Sequence, residues 1–300
     1  MPKYTIRKLR RHELLDAVRL ILRSANDLRA KSGRPAWDVV VSEVPSINYH
    51  YFDSDPDGNW GAFFDGKIIG YCAALVRGKQ WYLGYLFVDP DYQLKGVGRR
   101  LLERALEYGK GKVDSHSLCT FPYNEAALAL YSSFGMMPTT PIFEMNRKNE
   151  DSLEIPATKL TGIEDNSRKA LLRINRLEKE IRGYPHPDDW EFFARDSKTK
   201  IYQFHSGSQW VGYSVTSNAR LIAPAGATLA KYLPEIIAET YRLSLQSKPD
   251  MSRLWVGGTN AQVYGRLIEL GFKIGELTVF LSTKPYGDFS RYCPAHLAMF

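Results

Sequence analysis

The sequence has few of the residues that build metal sites and disulfide frameworks. Its 300 residues include 3 cysteines and 6 histidines. Cys72, Cys119 and Cys293 are widely spaced and odd in number, which argues for a reducing compartment and against a disulfide framework or a thiolate metal site. The histidines form no HxxxH or HxH pair, so we expect no metal.

Long apolar runs are also missing. No stretch approaches the ~20 apolar residues of a membrane-spanning helix. The start, MPKYTIRKLRRHELL, is basic but lacks the apolar segment of a signal peptide. These features predict a cytoplasmic protein with no membrane partner.

The charge is of mixed sign. The formal net charge is +7, but basic residues alternate with acidic ones, and the densest basic cluster is only Arg7-Lys8-Leu9-Arg10-Arg11. This distribution predicts a solvated surface with a basic bias and no nucleic-acid partner. A mildly positive field would suit a polyanionic ligand.

The first half alternates between strand and helix patterns. Residues 60–75 contain an Asp65-Gly66 turn signal between two β-rich segments, and Pro90 ends the apolar strand that follows. The patterns predict helix 13–28, hairpin 60–75, strand 80–89, a helix ending near Gly109, strand 115–121 and helix 124–134.

The second half repeats this order. After a polar linker at 147–167 we predict helix 167–183, loop 183–193, hairpin 201–215, helix 233–244, strand 254–258 and helix 260–270. Asn124 and Gly135 recur as Asn260 and Gly271, each displaced by 136 residues (260 − 124 and 271 − 135). We therefore predict two copies of one α/β unit, at residues 1–150 and 151–300.

The segment YQLKGVGRRLL, residues 92–102, places two glycines where a strand gives way to a helix. It lacks the GxxxxGK[ST] of a nucleoside-triphosphate loop, and Leu101 occupies the third glycine position of a dinucleotide fingerprint. The pattern Gln93-x-x-Gly96-x-Gly98 fits backbone amides and a helix N-terminus that bind an anion. The alternative is an ordinary glycine-rich turn.

A second motif lies about 30 residues downstream. Asn124, Ala127 and Tyr131 share one helical face, and Gly135 follows. Taken alone, Asn124 could be a helix cap and Tyr131 a core aromatic. Together, V88-D-P90, Q93-L-K-G96-V-G98-R99 and N124-E-A-A127-L-A-L-Y131-S-S-F-G135-M136 resemble the GNAT superfamily of acetyl-CoA-dependent N-acyltransferases.

The resemblance implies a fold and a set of roles. The fold would be α/β (α+β), with two GNAT-like domains in tandem, each a mixed, largely antiparallel sheet flanked by helices. In this family the amides of residues 94–99 hold the pyrophosphate of coenzyme A, and the splayed strand 86–88 pairs with the pantetheine arm. The implied catalytic groups are the Val88 amide, which polarises the thioester carbonyl, and Tyr131 as general acid. The implied acetyl-CoA site comprises Leu86, Phe87, Val88, Gln93, Leu94, Lys95, Gly96, Val97, Gly98, Arg99, Asn124, Ala127 and Tyr131.

Some parts of the reaction stay open. The central strand, WYLGYLFV, carries no carboxylate to act as a base, and Tyr82 or Tyr85 could line an acceptor channel or simply pack. The second copy lacks the glycine loop and has Leu267 at the position of Tyr131, so we expect it to be degenerate. Its loop 183–193 could form a wall of the acceptor pocket or cap its own domain. We expect acetyl transfer to a small-molecule or peptide amine; the alternative is a non-catalytic acyl-CoA sensor.

Overall fold

A computed structural model describes residues 4–149, 155–217 and 220–300. The chain divides into two compact units. The first comprises Met1–Cys119 and Tyr123–Met136, and the second comprises Thr120–Pro122 and Met137–Phe300. The predicted boundary between residues 150 and 151 lies outside the described residues.

The first unit is a sheet with helices packed on it. Its helices are α1 (Leu14–Lys31), α2 (Ser46–Ser54), α3 (Val97–Gly109) and α4 (Glu125–Ser132). Its strands are β1 (Thr5–Lys8), β2 (Asn59–Phe64), β3 (Lys67–Arg77), β4 (Gln80–Val88) and β5 (Ser115–Thr120), adjacent in that order. The pairs β1–β2, β2–β3 and β3–β4 are antiparallel, whereas β4–β5 is parallel.

The predicted hairpin at 60–75 is confirmed as β2 and β3. Asp65 and Gly66 both have positive φ, 48° and 74°, as a type I′ turn requires. Gly70 lies where α3 crosses the hairpin, and a Cβ there would approach Leu101 Cδ1 to 2.8 Å. The missing side chain thus lets α3 pack closely on the sheet, which fixes where that helix begins.

The strand β4 changes direction in its middle. Ala73 pairs with Tyr85 and Ala74 with Leu83, so Gly84 is the extra residue of a β-bulge. The parallel ladder with β5 joins Gln80–Leu83 to Ser115–Leu118, and among the described residues it includes no pair beyond Leu83. The second half of β4 therefore has one edge that β5 does not cover.

The second unit contains two sets of strands. Its helices are α5 (Arg168–Arg182), α6 (Pro187–Arg195), α7 (Leu233–Ser244) and α8 (Ala261–Glu269). Its strands are β6 (Met137–Lys148), β7 (Thr161–Glu164), β8 (Thr199–Ser206), β9 (Gln209–Ser217), β10 (Ala225–Ala227), β11 (Met251–Gly257), β12 (Lys273–Ser282) and β13 (Tyr292–Cys293). One set has the order β12-β6-β11, and the other has the order β13-β10-β9-β8-β7.

The displacement of 136 residues extends to whole elements. The starts of β5 and β11 (251 − 115), of α4 and α8 (261 − 125), and of β6 and β12 (273 − 137) all differ by 136. Asn124 and Asn260 both cap their helices by accepting a backbone N–H three residues on. Gly135 and Gly271 have φ of 81° and 77°. The two segments thus share element order, caps and helix ends.

Two local predictions were wrong. The predicted loop 183–193 contains α6, because Pro187 is pre-shaped for a first helical position and Asp188 and Asp189 favour the positive helix N-terminus. The predicted linker 147–167 contains β7 and the end of β6. The surrounding sequence is polar and contains a proline, and local patterns assign such sequence to loops.

Candidate active site

The glycine loop and the first turn of α3 present a group of backbone N–H donors. Gly96 is the N-cap of α3 and has φ of 81°. Arg100 N–H donates to Gly96 O at 3.1 Å, so the N–H groups of Val97, Gly98 and Arg99 precede the first intrahelical bond. Together with the helix dipole, these three groups make a site for an anion.

The end of β4 presents a backbone edge beside this loop. Asp89 N–H donates to Ile69 O at 2.9 Å, so the preceding pair, Val88–Gly70, is a non-hydrogen-bonded pair of the antiparallel ladder. The N–H and C=O of Val88 then point away from β3, and alternation gives Leu86 the same orientation. This is the edge that β5 does not cover.

The loop, the strand end and α4 meet at Gly98. A Cβ on Gly98 would lie 3.6 Å from Val88 Cγ2 and 3.9 Å from Leu130 Cδ2. These are ordinary van der Waals distances, so the position tolerates a small side chain. The N-terminus of α3 and the uncovered edge of β4 are therefore neighbours, as a ligand that spans both would require.

Tyr131 lies on α4 and is buried, with 6% of its surface exposed. Burial raises its pKa above the ordinary 10, and the nearby Cys72 thiol raises it further. Cys72 is the cross-strand partner of Leu86, so Tyr131 lies close to the strand pair that carries the uncovered edge. Its phenol is protonated at neutral pH and can act only as a donor of that proton.

Asn124 and Ala127 are joined in the helix cap of α4. Asn124 Oδ1 accepts the Ala127 N–H at 3.2 Å. The cap uses Oδ1 of Asn124, so the Nδ2 amide group of this side chain would be the one that donates a hydrogen bond to a ligand. Asn124 is thus the predicted cap, and the cofactor contact that the resemblance implies stays a prediction.

The remaining predicted residues differ in exposure. Leu94 is 94% exposed with φ of 59°, whereas the Val97 side chain is buried and packs toward the hairpin. The backbone N–H of Val97 is therefore the group that could donate a hydrogen bond to a ligand.

Lys95 and Arg99 are exposed cations at the loop. Lys95 Nζ donates to Asp91 O at 2.6 Å, and Arg99 Nη2 donates to Ser133 Oγ at 3.0 Å. Leu86, Phe87 and Gln93 are half-buried.

Comparison with known proteins shows which family and which fold the segment with this arrangement is similar to. Residues 23–136 match the model of the acetyltransferase (GNAT) family, a segment that contains the loop, the uncovered strand and α4. A candidate acetyltransferase of Pyrococcus horikoshii has the same fold, with a TM-score of 0.80, 16% identity, and coverage of 99% of this chain and 96% of that chain. The fold is the GNAT fold.

Other comparisons agree on the GNAT fold. A GCN5-related N-acetyltransferase of Sphaerobacter thermophilus superposes with a TM-score of 0.69 at 15% identity, covering 96% of this chain and 98% of that one. A tandem GNAT protein of the clavulanic acid biosynthesis pathway superposes with a TM-score of 0.60 at 14% identity, covering 94% and 99%. At these identities the similarity concerns the fold alone.

Curated N-acetyltransferases match part of the chain. The N-alpha-acetyltransferase RimI of Mycobacterium tuberculosis is 38% identical over 97 residues, which are 31% of this chain and 55% of the relative. The [ribosomal protein bS18]-alanine N-acetyltransferase of Escherichia coli K12 is 38% identical over 77 residues, 25% of this chain and 52% of the relative. The chain thus spans about half the length of these relatives.

Sequence patterns missed two residues of α1, Arg23 and Ser24, that hold the glycine loop. Ser24 Oγ donates to Val88 O at 3.0 Å, and Arg23 Nη1 donates to Asp89 Oδ2 at 2.8 Å. Asp89 also accepts the Asp91 N–H at 3.0 Å and caps a short 3₁₀ turn, Pro90–Tyr92. Arg23 and Ser24 lie on α1, more than 60 residues away in sequence, and no local pattern links them to the loop.

Tyr82 and Tyr85 of β4, which could line an acceptor channel or simply pack, contact other side chains of the first unit. Tyr82 is 4% exposed. Tyr85 packs among aromatic rings, with centroid distances of 5.9 Å to Tyr51 and 6.0 Å to Tyr71, and burial raises its pKa. Across the described parts of the chain, no group of three or more His, Cys, Asp or Glu is placed to hold a metal ion.

Two other features lie away from this site. A groove of 430 Å³ at the C-terminal end of α3 is lined by residues that include Glu103, Leu106, Glu107 and His116, none of which is a predicted site residue. His186 and Asp189 belong to the segment 183–193, which was expected to form an acceptor wall or to cap its own domain. Both are buried within the second unit, where His186 Nδ1 and Asp189 Oδ2 are 3.1 Å apart.

No helix among the described residues has the length and apolarity needed to cross a membrane.

Proposed function

We propose that the first unit is an N-acyltransferase that moves an acetyl group from acetyl-CoA to a primary amine. The observation that carries the proposal is the meeting of an anion-binding helix start with an uncovered strand edge. The N–H groups of Val97, Gly98 and Arg99 face one end of this region, and the Val88 backbone faces the other. A long ligand with a phosphate group and an amide-containing arm matches both features.

The hydrogen-bond donors and cations of the first unit suggest how each part of acetyl-CoA would bind. The α3 amides would hold the pyrophosphate of acetyl-CoA, with Lys95 and Arg99 adding positive charge at the loop. The β4 edge would pair with the pantetheine amides as an added strand does. When bound, acetyl-CoA supplies an activated acetyl group and a thiolate leaving group.

Val88 and Tyr131 would act on opposite ends of the reacting bond. The Val88 N–H would donate to the thioester oxygen as negative charge develops on it, and such donors stabilise a transition state by ~3 kcal/mol. The Tyr131 phenol, protonated because burial raises its pKa, would give its proton to the departing sulfur. The amine nitrogen forms the new bond to the carbonyl carbon, and the carbon–sulfur bond breaks. The nitrogen releases its surplus proton to water, and the tyrosinate left at Tyr131 takes up a proton from water, so that an amide and a free thiol result.

The amine must reach the site without its proton. An ordinary ammonium has a pKa of ~10.4 for a lysine side chain and ~7.7–8.0 for an α-amine. An α-amine is therefore about 300-fold more often neutral at pH 7, and needs less help from a base. We assign no general base among the chain's residues.

We propose a peptide α-amine as the first acceptor class to test. The Mycobacterium tuberculosis relative is an N-alpha-acetyltransferase, and the Escherichia coli relative acetylates an alanine of ribosomal protein bS18. The absence of a carboxylate base on β4 favours the same class. Lysine side chains and small metabolite amines are the other outcomes of the test.

We also propose that the second unit is a degenerate GNAT copy. The matching caps Asn124 and Asn260, and the matching positive φ of Gly135 and Gly271, support common ancestry of the two segments. The second copy has Leu267 in place of Tyr131, and its β10 is only 3 residues long. It would contribute structure and no transfer chemistry, in a cytoplasmic protein.

The experiment that tests the proposal is thiol release from acetyl-CoA by the full chain. A panel should contain peptides with free N-termini, the same peptides with blocked N-termini, and lysine and polyamine acceptors. We expect release that depends on a free α-amine. Tight acetyl-CoA binding with no release on any amine would instead support the non-catalytic acyl-CoA sensor.

A further inference from the structure

The carbonyl of Val88 is held by two side chains from different elements. Ser24 Oγ of α1 donates to Val88 O at 3.0 Å, and Gln93 Nε2 of the glycine loop donates to the same oxygen at 3.0 Å. Gln93 Nε2 also lies 3.4 Å from Ser24 Oγ. Ser24 is 6% exposed, so this three-residue network is largely shielded from water.

We propose that Ser24 and Gln93 are positioning residues that hold the Val88 carbonyl, and with it the backbone at the Val88 Cα, so that the Val88 N–H stays directed at the thioester carbonyl. This inference rests on the proposed function of the first unit. Neither side chain touches the reacting atoms in this account. Gln93, the first residue of the glycine-loop motif, then acts through its amide toward the protein and leaves the anion to the α3 N–H groups.

The position of the carbonyl explains why it needs such partners. Val88 C=O and Val88 N–H point to the same edge of β4, which β5 does not cover. An unpaired carbonyl there would place partial negative charge beside the oxygen that becomes negative during the reaction. Two donors neutralise it. They also hold the Val88–Asp89 peptide plane, which is joined through the Val88 Cα to the plane that carries the Val88 N–H, and so they limit the movement of that N–H.

A separate set of contacts fixes the residues that follow Val88. Arg23 Nη1 and Nη2 donate to Asp89 Oδ2 at 2.8 Å and to Asp91 Oδ2 at 3.0 Å, and Asp89 N–H donates to Ile69 O. These bonds remain when the Ser24 hydroxyl is removed. A variant at Ser24 should therefore keep the loop in place and change mainly how firmly the Val88 carbonyl is held.

The test is carbon-13 magnetic resonance of acetyl-CoA labelled at the acetyl carbonyl and bound to the full chain. We expect the wild-type complex to show the carbonyl resonance downfield of free acetyl-CoA, because a donated hydrogen bond polarises the C=O. Ser24→Ala and Gln93→Met, which remove one donor each, should move the resonance back toward its free position. Ser24→Thr keeps a hydroxyl and should keep the wild-type shift.

Two controls separate positioning from general loosening. Affinity for CoA without the acetyl group, measured by calorimetry, should be unchanged in Ser24→Ala, because CoA lacks the acetyl carbonyl. Ser117→Ala removes another buried hydroxyl of this unit, one that accepts from Gln80 on the paired half of the ladder, and should leave the resonance unchanged. With an acceptor in hand, turnover of Ser24→Ala should fall by up to about 100-fold at constant KM for acetyl-CoA.

The outcomes distinguish this inference from the function on which it rests. If wild type binds acetyl-CoA but both donor variants keep the wild-type resonance, the positioning role is refuted while the function stands. If wild type binds acetyl-CoA with an unshifted carbonyl, the Val88 N–H does not reach it and the inference fails. No detectable binding of acetyl-CoA to wild type would overturn the proposed function itself. Should Ser24→Ala fail to fold, the half-buried Gln93→Met decides the question.

Discussion

Val88 and Tyr131 would serve the reaction through different kinds of atom. Val88 contributes a backbone N–H, which any residue except proline carries, so its side chain says little about its role. Tyr131 contributes a hydroxyl that Leu267 of the second copy cannot replace. Ser24 contributes a hydroxyl from a helix whose sequence gives no sign of it. Of these groups, only Tyr131 belongs to a motif that the sequence reveals through its side chain.

Tyr131→Phe should lower turnover with little change in acetyl-CoA affinity, because the ring stays and only the transferable proton is lost. A general acid typically contributes ~10²–10⁴-fold. Burial and Cys72 raise the pKa of Tyr131, so the wild-type phenol keeps its proton, and its activity, up to at least about pH 10. Steady-state kinetics from pH 6 to 10 check both points. Near-wild-type turnover of the variant would reduce Tyr131 to a packing residue.

His296 should make the stability of the chain depend on pH. Burial, with a contribution from Arg253, lowers its pKa to about 4, and its Nδ1 accepts the Ala298 N–H at 3.1 Å. The unfolded chain, with an ordinary pKa of ~6.5, binds this proton first. Stability from the neutral ring is therefore complete above about pH 6.5 and is lost as the pH falls toward 4.

The measurement is denaturant unfolding of the full chain at several pH values between 4 and 7.5. His296→Gln keeps an acceptor for Ala298 without titrating, so it should flatten this pH dependence by about 3 kcal/mol. His186, whose pKa is lowered by burial and then by Arg182, should leave a residual slope in the same direction. An identical slope in wild type and His296→Gln would show that His296 is not protonated on unfolding.

At the scale of elements, the sequence predicts those helices and strands whose determinants are local, such as turn residues, apolar spacing and helix caps. The hairpin β2–β3 follows from an Asp-Gly turn, and α3 and α4 follow from apolar spacing and caps. The strand β6 was missed because Pro138 and Pro141 read as strand breakers. Its partners β11 and β12 lie more than 100 residues away. The uncovered edge of β4 depends on where β5 stops pairing, which no local pattern records.

The start of α3 gives the sharpest test of a single element. Gly98→Asp should strongly weaken acetyl-CoA binding, because it places a negative charge beside the amides that would hold the pyrophosphate. Gly98→Asn has nearly the same size and no charge, and an added Cβ there meets only ordinary contacts. Calorimetry should show Asn closer to wild type than Asp. Equal affinity for wild type and Gly98→Asp would remove the pyrophosphate from this loop.

At the scale of the whole molecule, the compact units do not follow the halves of the sequence repeat. By the displacement of 136 residues, β6 closes the first copy as β12 closes the second. Yet β6 belongs to the second unit, where it pairs antiparallel with β11 on one edge and β12 on the other. The strand that ends the first copy is therefore a central strand of the second unit.

A fragment of residues 1–150 should aggregate, although it contains the whole predicted catalytic copy. In it β6 would expose two unpaired edges, which promote association between chains. A matched fragment of residues 1–136 lacks β6 and should aggregate less. Analytical ultracentrifugation of both fragments measures this. A monomeric, folded 1–150 fragment would show that β6 does not need its distant partners.

A crystal structure of the full chain with acetyl-CoA would show directly whether the first unit binds this ligand at α3 and β4. We predict one acetyl-CoA per chain, with its pyrophosphate at the N–H groups of Val97, Gly98 and Arg99. The thioester oxygen should lie about 2.7–3.1 Å from Val88 N, as an oxyanion donor requires. A pyrophosphate bound elsewhere, or a thioester that points away from Val88 and Tyr131, would contradict this prediction.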